Sequence, residues 1–498
     1  MRLMFFKAQV LLVWMCLLGF SVAEAQSAAS SGGEAAATIL ARARKVMLVG
    51  RADGSVLHYR AVSASEQNYQ SDRTYPPFFS SMDIEEGWFD PQSGIERIGT
   101  LTTFPGYTAP QPRVVVTNGK GAFSFAEGHW SAMPPSFLRS RNLDPWAVVA
   151  DWTAAENVRY AGTEIYRDYS RDLLVRKGAS GELRLFLDPK TGFPVKLDLE
   201  EKHYLWGQRH IEYLYTNWTL VGGVMVAGSS FRLADGKTEI SRTTGEVEIQ
   251  ASNSAPVMSR PDAIPQPEDA LPRFLQPIDP TVTQVGSNTY LLSNPGYTEL
   301  VTRAGDEVFL LDATQGEERA RKDNAAIDKL FPGHKTITVI VTDLAWPHIA
   351  GVRYWVAEGA TIISHRAARE FLQSVVDRKW TLTPDLLEVR RESAKLKFVE
   401  IDGRLSLAGG AISLHPIDGI GSEVAIIAYL SNDHLLWASD FIQSVDGPSS
   451  YATEVWQAVH RDGLHPERTV AEHLPLTPWS KIEELQNWNS AGGDSNSK

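Results

Sequence analysis

A chain of 498 residues is long enough for two or more domains, each with its own core. Its composition, 43% hydrophobic and 22% charged, is that of a globular protein rather than a fibrous or low-complexity one. A formal net charge of −12, with no basic block along the chain, argues against nucleic acid or an anionic membrane as the main partner.

Arg2 and Lys7 flank the start of an apolar run, Ala8–Phe20, and Ala23-Glu24-Ala25 offers a small-x-small cleavage site before Gln26. Residues 1–25 therefore read as a secretory signal, the run being short for a bilayer span. Cys16, the single cysteine, lies inside that run behind Met15, which disfavours a lipoprotein cleavage site. The exported protein is expected to carry no disulfide and no thiolate, to lack a transmembrane segment, and to be periplasmic in a Gram-negative cell.

After a flexible leader, Gln26–Gly33, the segment Glu34–Leu48 spaces its apolar residues for one amphipathic helix. From there to about Gln250, strand-like alternation broken by turns dominates. Arg113–Thr117 precedes Asn118-Gly119, Leu183–Leu187 runs into the turn Asp188–Gly192, and Thr244–Ile249 alternates again. One helix followed by many antiparallel strands predicts an α+β domain over 34–251. Leu185–Leu199 and Trp218–Phe231, each a strand turning into another, resemble the half-barrel of lipoprotein-carrier (Lol-like) domains. That resemblance implies a concavity for an apolar or lipid-like ligand, lined by some of Trp88, Trp130, Trp146, Trp152 and Trp206. Tryptophans at such positions serve as plain core packing at least as often.

Residues 252–280 carry seven prolines, which block helix and sheet interiors alike and mark a semi-rigid linker. Beyond it, a domain over 281–489 is expected, then a disordered tail, 490–498. Asn288–Ser293 and Tyr297–Asp312 read as strands, Glu317–Phe331 as a helix, and Lys335–Val341 as a buried strand filled with β-branched residues. Then come the loop Val341–Gly351 (VTDLAWPHIAG), a short helix over Gly351–Gly359, and a second buried strand, Ala360–Ser364. Glu423–Ser431 and His434–Ala438 read as a hairpin, Arg468–Ala471 as a strand, and Thr477–Trp488 as the closing helix.

Strand, loop, helix, strand in this order resembles the metallo-β-lactamase superfamily, whose loop reads T-H-x-H-x-D-H-x-G-G. The resemblance implies a two-domain α+β chain whose C-terminal domain is a four-layer αββα sandwich. Thr342, His348 and Gly351 match the pattern, whereas Asp343 and Ala345 stand at the two H-x-H histidines and Pro347 at the aspartate. Family members hold two Zn²⁺ ions on imidazoles and carboxylates and use them to make hydroxide near neutral pH. Of the first ion's ligands, the third histidine falls on Asp418 in His415–Ser422. The second ion keeps His348 and His473, and the bridging carboxylate is kept as Asp440.

Two readings follow. In one, a domain with a degenerate zinc site is a non-catalytic binding or scaffold protein, and no residue is catalytic. In the other, His348, Asp440 and His473 hold one Zn, or Fe or Mn, and hydrolyse an ester, amide or lactone, with Asp343 or Asp418 adding an oxygen and His415 a more remote substitute. A loop histidine can equally be a hydrogen-bonding residue, and aspartates at strand ends can cap backbone N–H groups. No G-x-S-x-G elbow, P-loop, dinucleotide fingerprint or H-E-x-x-H competes with these readings.

Overall fold

The computed structural model describes residues 33–492 except 48–53, 67–77, 79, 104–110, 118–120, 127–128, 134–140, 179–180, 222, 253–255, 257–277, 295, 418–423 and 447–449. The signal segment, most of the proline-rich segment and residues 493–498 lie outside the described residues. The chain forms two compact units. The first comprises residues 1–65, 81–201 and 209–269, the second 66–80, 202–208 and 270–498.

The first unit is built on a 13-stranded antiparallel sheet in which sequence neighbours pair in turn. Strand Ser55–Glu66 also pairs with the last strand, Lys237–Ala251. The turn after Gly181–Leu187 forms because Asp188 Oδ1 accepts from the backbone N–H groups of Lys190 and Thr191, at 3.0 and 2.8 Å. The expected N-terminal helix occupies residues 33–47 and buries Ala36, Ile39, Leu40, Ala43 and Met47, one stripe at helical spacing. A second helix, Pro145–Ala154, buries Trp146, Val149 and Trp152 in the same core.

The five tryptophans, some of which were expected to line a concavity, are dispersed. Trp146 and Trp152 are core residues, and Trp88 stacks on His58 at 4.9 Å. Trp130 lies on the sheet's edge strand, His129–Met133. Trp206 belongs to the second unit, edge-on to Trp346 and Phe371 at 5.6 and 5.7 Å. Alternation along a hairpin says which residues share a face, not which core that face meets.

The second unit holds a seven-stranded and a six-stranded sheet. In the first, strands Glu307–Leu311, Thr336–Ile340, Thr361–His365 and Lys397–Ile401 run parallel. In the second, only Leu435–Trp437 and Arg468–Val470 are a parallel pair. Alternate residues divide between two cores. Phe309, Leu311, Ile340 and Ile363 pack with Ile426, Trp437 and Val470 of the other sheet. Val308, Leu310, Val339 and Ile362 face Ala320 and Ile327 of helix Glu317–Leu330 and Trp355 and Val356 of helix Val352–Ala357. On the far side, Ile427 and Leu436 meet Val455 and Val459 of helix Ser450–Arg461 and Ile482 and Leu485 of helix Trp479–Gly492. Strands apolar on both sides are what burial of a parallel sheet on both faces requires, which explains the unbroken runs in the sequence.

Candidate metal centre

The parallel strands of both sheets carry the polar residues at their carboxyl ends. Asp312 follows Glu307–Leu311, Thr342 and Asp343 follow Thr336–Ile340, Ser439 and Asp440 follow Leu435–Trp437, and Glu472 and His473 follow Arg468–Val470. Asp312 and Ser439 both adopt left-handed backbone, φ 66° and 52°, which non-glycine residues rarely do. The loop between residues 342 and 351 is held by its own turns. His348 N donates to Ala345 O at 2.9 Å, and Asp343 Oδ1 accepts from Ala345 N at 2.8 Å. Against it lies the segment after Asp312, with Ala313 N donating to His348 O and Gln315 N to Pro347 O. That segment is fixed by the buried Glu299, whose Oε1 accepts from Thr314 N at 2.6 Å and Thr314 Oγ1 at 2.8 Å.

His348 is the centre of the cluster and is 3% exposed. Its Nδ1 lies 2.9 Å from both oxygens of Asp343, and its Nε2 lies 2.9 Å from Glu472 Oε2. The second contact is an ion pair without hydrogen-bond alignment, so neither buried oxygen of Glu472 accepts a hydrogen bond. His473 Nδ1 donates to the Gly296 carbonyl at 2.6 Å, leaving Nε2 3.3 Å from Asp440 Oδ1. Gln443 Nε2 holds the same Asp440 oxygen at 2.9 Å. The Tyr297 ring touches both imidazoles, with centroids 5.6 Å from His348 and 4.9 Å from His473. His348 and Glu472 are buried, whereas the His473 and Asp440 side chains are 27% and 15% exposed. The site therefore has one accessible side.

Burial works against the imidazolium of His348, but Asp343, Glu472 and Asp440 outweigh it and hold its pKa well above the usual histidine value. Burial would also raise Asp343, yet the facing His348 and three hydrogen-bond donors bring it below the usual carboxylate value. Glu472 is raised well above the ordinary range by burial, and Asp440 is raised for the same reason. Burial, helped by the charge of Asp343, lifts Asp312 to about 7. His348 raised and Asp343 lowered both favour the charged pair, which is the ion pair this buried pocket sustains.

Asp312 Oδ1 accepts from Thr342 N at 2.7 Å, and its Oδ2 contacts Thr342 Oγ1 and Trp437 Nε1, the latter at 3.0 Å. Thr342 Oγ1 reaches Ser439 Oγ at 2.8 Å, and Ser439 Oγ donates to Asp343 Oδ2, also at 2.8 Å. Since Ser439 spends its proton on Asp343, Thr342 must donate to Ser439. Thr342 Oγ1 also lies within donating reach of Asp312 Oδ2, so the two hydroxyls link the carboxyls of Asp312 and Asp343 in one buried network.

Of the residues singled out from sequence, His348, Asp343, Asp440 and His473 are brought together, and Asp418 lies outside the described residues. Asp343 uses both oxygens on His348, Ala345 and Ser439, which makes it the orienting partner of an imidazole. Ala345 is buried beside it without a donor. His415 is committed elsewhere, to Asp462 and Ser413 at 2.8 Å each. Sequence reading passed over Glu472, Tyr297, Asp312 and Ser439. The signal for Glu472 was present, an acidic residue directly before a candidate histidine, His473.

Three ligand atoms, from His348, Glu472 and His473, lie within 4.8 Å of one another. Two imidazoles whose Nδ1 atoms are tied to a carboxylate and a backbone carbonyl present Nε2 inward, the arrangement that metal-ligating histidines have. With carboxylates as the other donors, the set fits one borderline divalent ion such as zinc, iron or manganese. A second described group, Asp198, His210 and Glu212 in the first unit, is occupied by Lys196, whose Nζ lies 3.0 Å from Asp198 and 3.3 Å from Glu212.

No family model matches the sequence, and no curated protein matches it significantly. Among solved structures, the chain is similar to the DIM-1 metallo-beta-lactamase at 12% identity, over 43% of this chain and 99% of that one, with a TM-score of 0.34. It is similar to TMB-1 at 14% identity over 44% and 100%, with a TM-score of 0.33. A metallo-beta-lactamase from Pontibacter korlensis matches at 13% identity over 42% and 97%, also at 0.33. Among the described residues no helix is long and apolar enough to cross a membrane.

Proposed function

We propose that the second unit is a metallo-β-lactamase-like αββα domain that holds one divalent metal ion on His348, His473 and Asp440 and hydrolyses an ester, amide or lactone. One observation carries the reading: each histidine commits Nδ1 to a fixed acceptor and turns Nε2 to a carboxylate, His348 to Glu472 and His473 to Asp440. When bound, such an ion supplies Lewis acidity and lowers the pKa of water toward neutrality. The residues of the chain do the holding. Asp343 fixes the tautomer of His348 and raises its basicity, the Gly296 carbonyl does the same for His473, and Gln443 orients Asp440. Tyr297, whose phenol burial pushes up to about 12, remains a neutral wall between the imidazoles.

Metal analysis of the full exported chain, loaded with zinc and freed of excess, tests the reading. One equivalent is expected, lost in His473→Ala; no bound metal overturns it. The second reading, a binding or scaffold domain, draws support from the Asp343–His348 ion pair, which forms without a metal. Metal bound at one equivalent with no hydrolysis of simple esters, amides or lactones would favour that reading.

For the first unit we propose an exported half-barrel that takes an apolar ligand. A cavity of about 350 Å³ opens between the two helices, where Ala37, Leu40, Trp152 and Val158 offer an apolar wall and Arg44 and Asn157 a polar one. Binding of a fluorescent fatty acid, weakened by Ala37→Trp, tests this. Export rests on residues 1–25 and is tested by the N-terminus of the secreted chain.

A further inference from the structure

We propose that Glu472 is a ligand of the same metal ion, the carboxylate that takes over from the one missing at Pro347. The inference rests on the single-metal reading and deepens it by naming a donor from the opposite sheet. In the resembled loop a carboxylate stands directly before the histidine, where this chain has Pro347. Proline has no side-chain donor, and its carbonyl accepts from Gln315 N at 2.7 Å. Glu472 reaches His348 Nε2 from the end of strand Arg468–Val470, one residue before His473.

Three features point to a cation. The Glu472 backbone is fully engaged, its N–H donating to Ser439 O at 3.0 Å and its carbonyl accepting from Thr298 N at 2.9 Å, so the side chain is placed rather than loose. The side chain is buried, yet neither oxygen accepts a hydrogen bond. A buried carboxylate with no aligned donor is stable only where a cation faces it. Among the described residues no arginine or lysine pairs with it; its one ion-pair partner is His348 Nε2, at 2.9 Å. That nitrogen is also the one the Asp343 contact leaves facing inward. An ion between the two Nε2 atoms and Glu472 satisfies both stranded oxygens and both imidazoles at once.

The test uses the full exported chain, wild type and Glu472→Gln, with zinc affinity measured by competition with a chelator. Glutamine keeps the volume and removes the charge, and roughly tenfold or greater weakening is expected. Equal affinity in both proteins would reduce Glu472 to a counter-ion of His348 and overturn the proposal while the single-metal reading stands. Failure of the wild type to bind zinc would overturn both. Should Glu472→Gln not fold, anomalous diffraction from zinc-loaded wild-type crystals reads the ligand directly. A Glu472 oxygen at about 2.0–2.2 Å from the ion is expected; an oxygen outside that shell overturns the assignment.

Discussion

Each unit buries a cluster of acids, and the clusters differ in the cation that faces them. In the first unit Arg242 bonds Glu85 at 2.9 Å and Asp144 at 2.5 Å. Arg141 bonds both oxygens of Asp151 and approaches Glu96 at 3.6 Å. Tyr59 Oη and Trp146 Nε1 donate to the same Glu96 oxygen, at 3.1 and 3.3 Å. Gly87 makes room for this, since a Cβ there would lie 2.0 Å from the Tyr59 ring. In the second unit the central cation is an imidazole. A guanidinium is permanent, five-donor and fills the space among its acids. An imidazole gives up its proton to a metal and keeps the site available. In the proposed function, the carboxylates around His348 make a ligand set, whereas those around Arg242 and Arg141 make a brace.

The sharpest way to break this contrast is to remove an arginine. Arg242→Met leaves Glu85 and Asp144 buried without their cation and should cost about 3–5 kcal/mol in denaturant unfolding of the first unit. Zinc affinity of the surviving folded protein should not change. A loss below about 1 kcal/mol would mean that the cluster is not the brace described.

The pH dependence separates the clusters next. Burial, then the charge of Asp144, raises Glu96 to about 8 in the folded chain from an ordinary 4.5. The folded state holds a proton that the unfolded chain releases. This contribution to stability is complete below the ordinary value and is lost as pH rises from 4.5 through about 8. The slope approaches about 1.4 kcal/mol per pH unit. Unfolding of wild type at pH 5 and pH 8, against Glu96→Gln, should show a steeper decline than the variant, in which the raised Asp144 and Asp312 still titrate.

Removing the metal probes the second cluster alone. An ion present at about 100 times its Kd stabilises the folded state by roughly 2.7 kcal/mol. A chelator should therefore lower the wild-type Tm and leave His473→Ala unmoved. Because Glu472 and Asp440 are raised carboxyls that surrender protons on binding, zinc uptake should release protons and strengthen with rising pH.

Much of the second unit was legible in the sequence because its signals are local. The runs Lys335–Val341 and Ala360–Ser364 gave strands Thr336–Ile340 and Thr361–His365, and Glu317–Phe331 gave helix Glu317–Leu330. The histidines and Asp440 were legible through motif order. Glu472 was not, because its role depends on two sheets meeting across Trp437 and Val470, which no local pattern encodes. Trp206 was misplaced for the same reason. It lies in a hairpin whose alternation is ordinary, and only tertiary packing sets it against Trp346. His415 had the chemistry of a ligand but faces Asp462.

The smallest effect asks whether Asp343 is a remnant ligand or the positioning residue of His348. In Asp343→Asn one oxygen can still accept from His348 Nδ1 and Ala345 N, while the amide faces Ser439, whose hydroxyl can turn toward Thr342. The fold is then kept and only the charge is lost. As a positioning residue, Asp343 would cost about 10–100-fold in zinc affinity when neutralised, and the apo protein's His348 would titrate at lower pH by NMR. A direct ligand would behave otherwise: crystals of the zinc-loaded wild type would show an Asp343 oxygen on the ion and His348 Nδ1 without its partner. The bidentate 2.9 Å contacts to Nδ1 and the Ser439 donor leave that oxygen no free direction, and they place the charge of Asp343 behind the imidazole rather than in front of it.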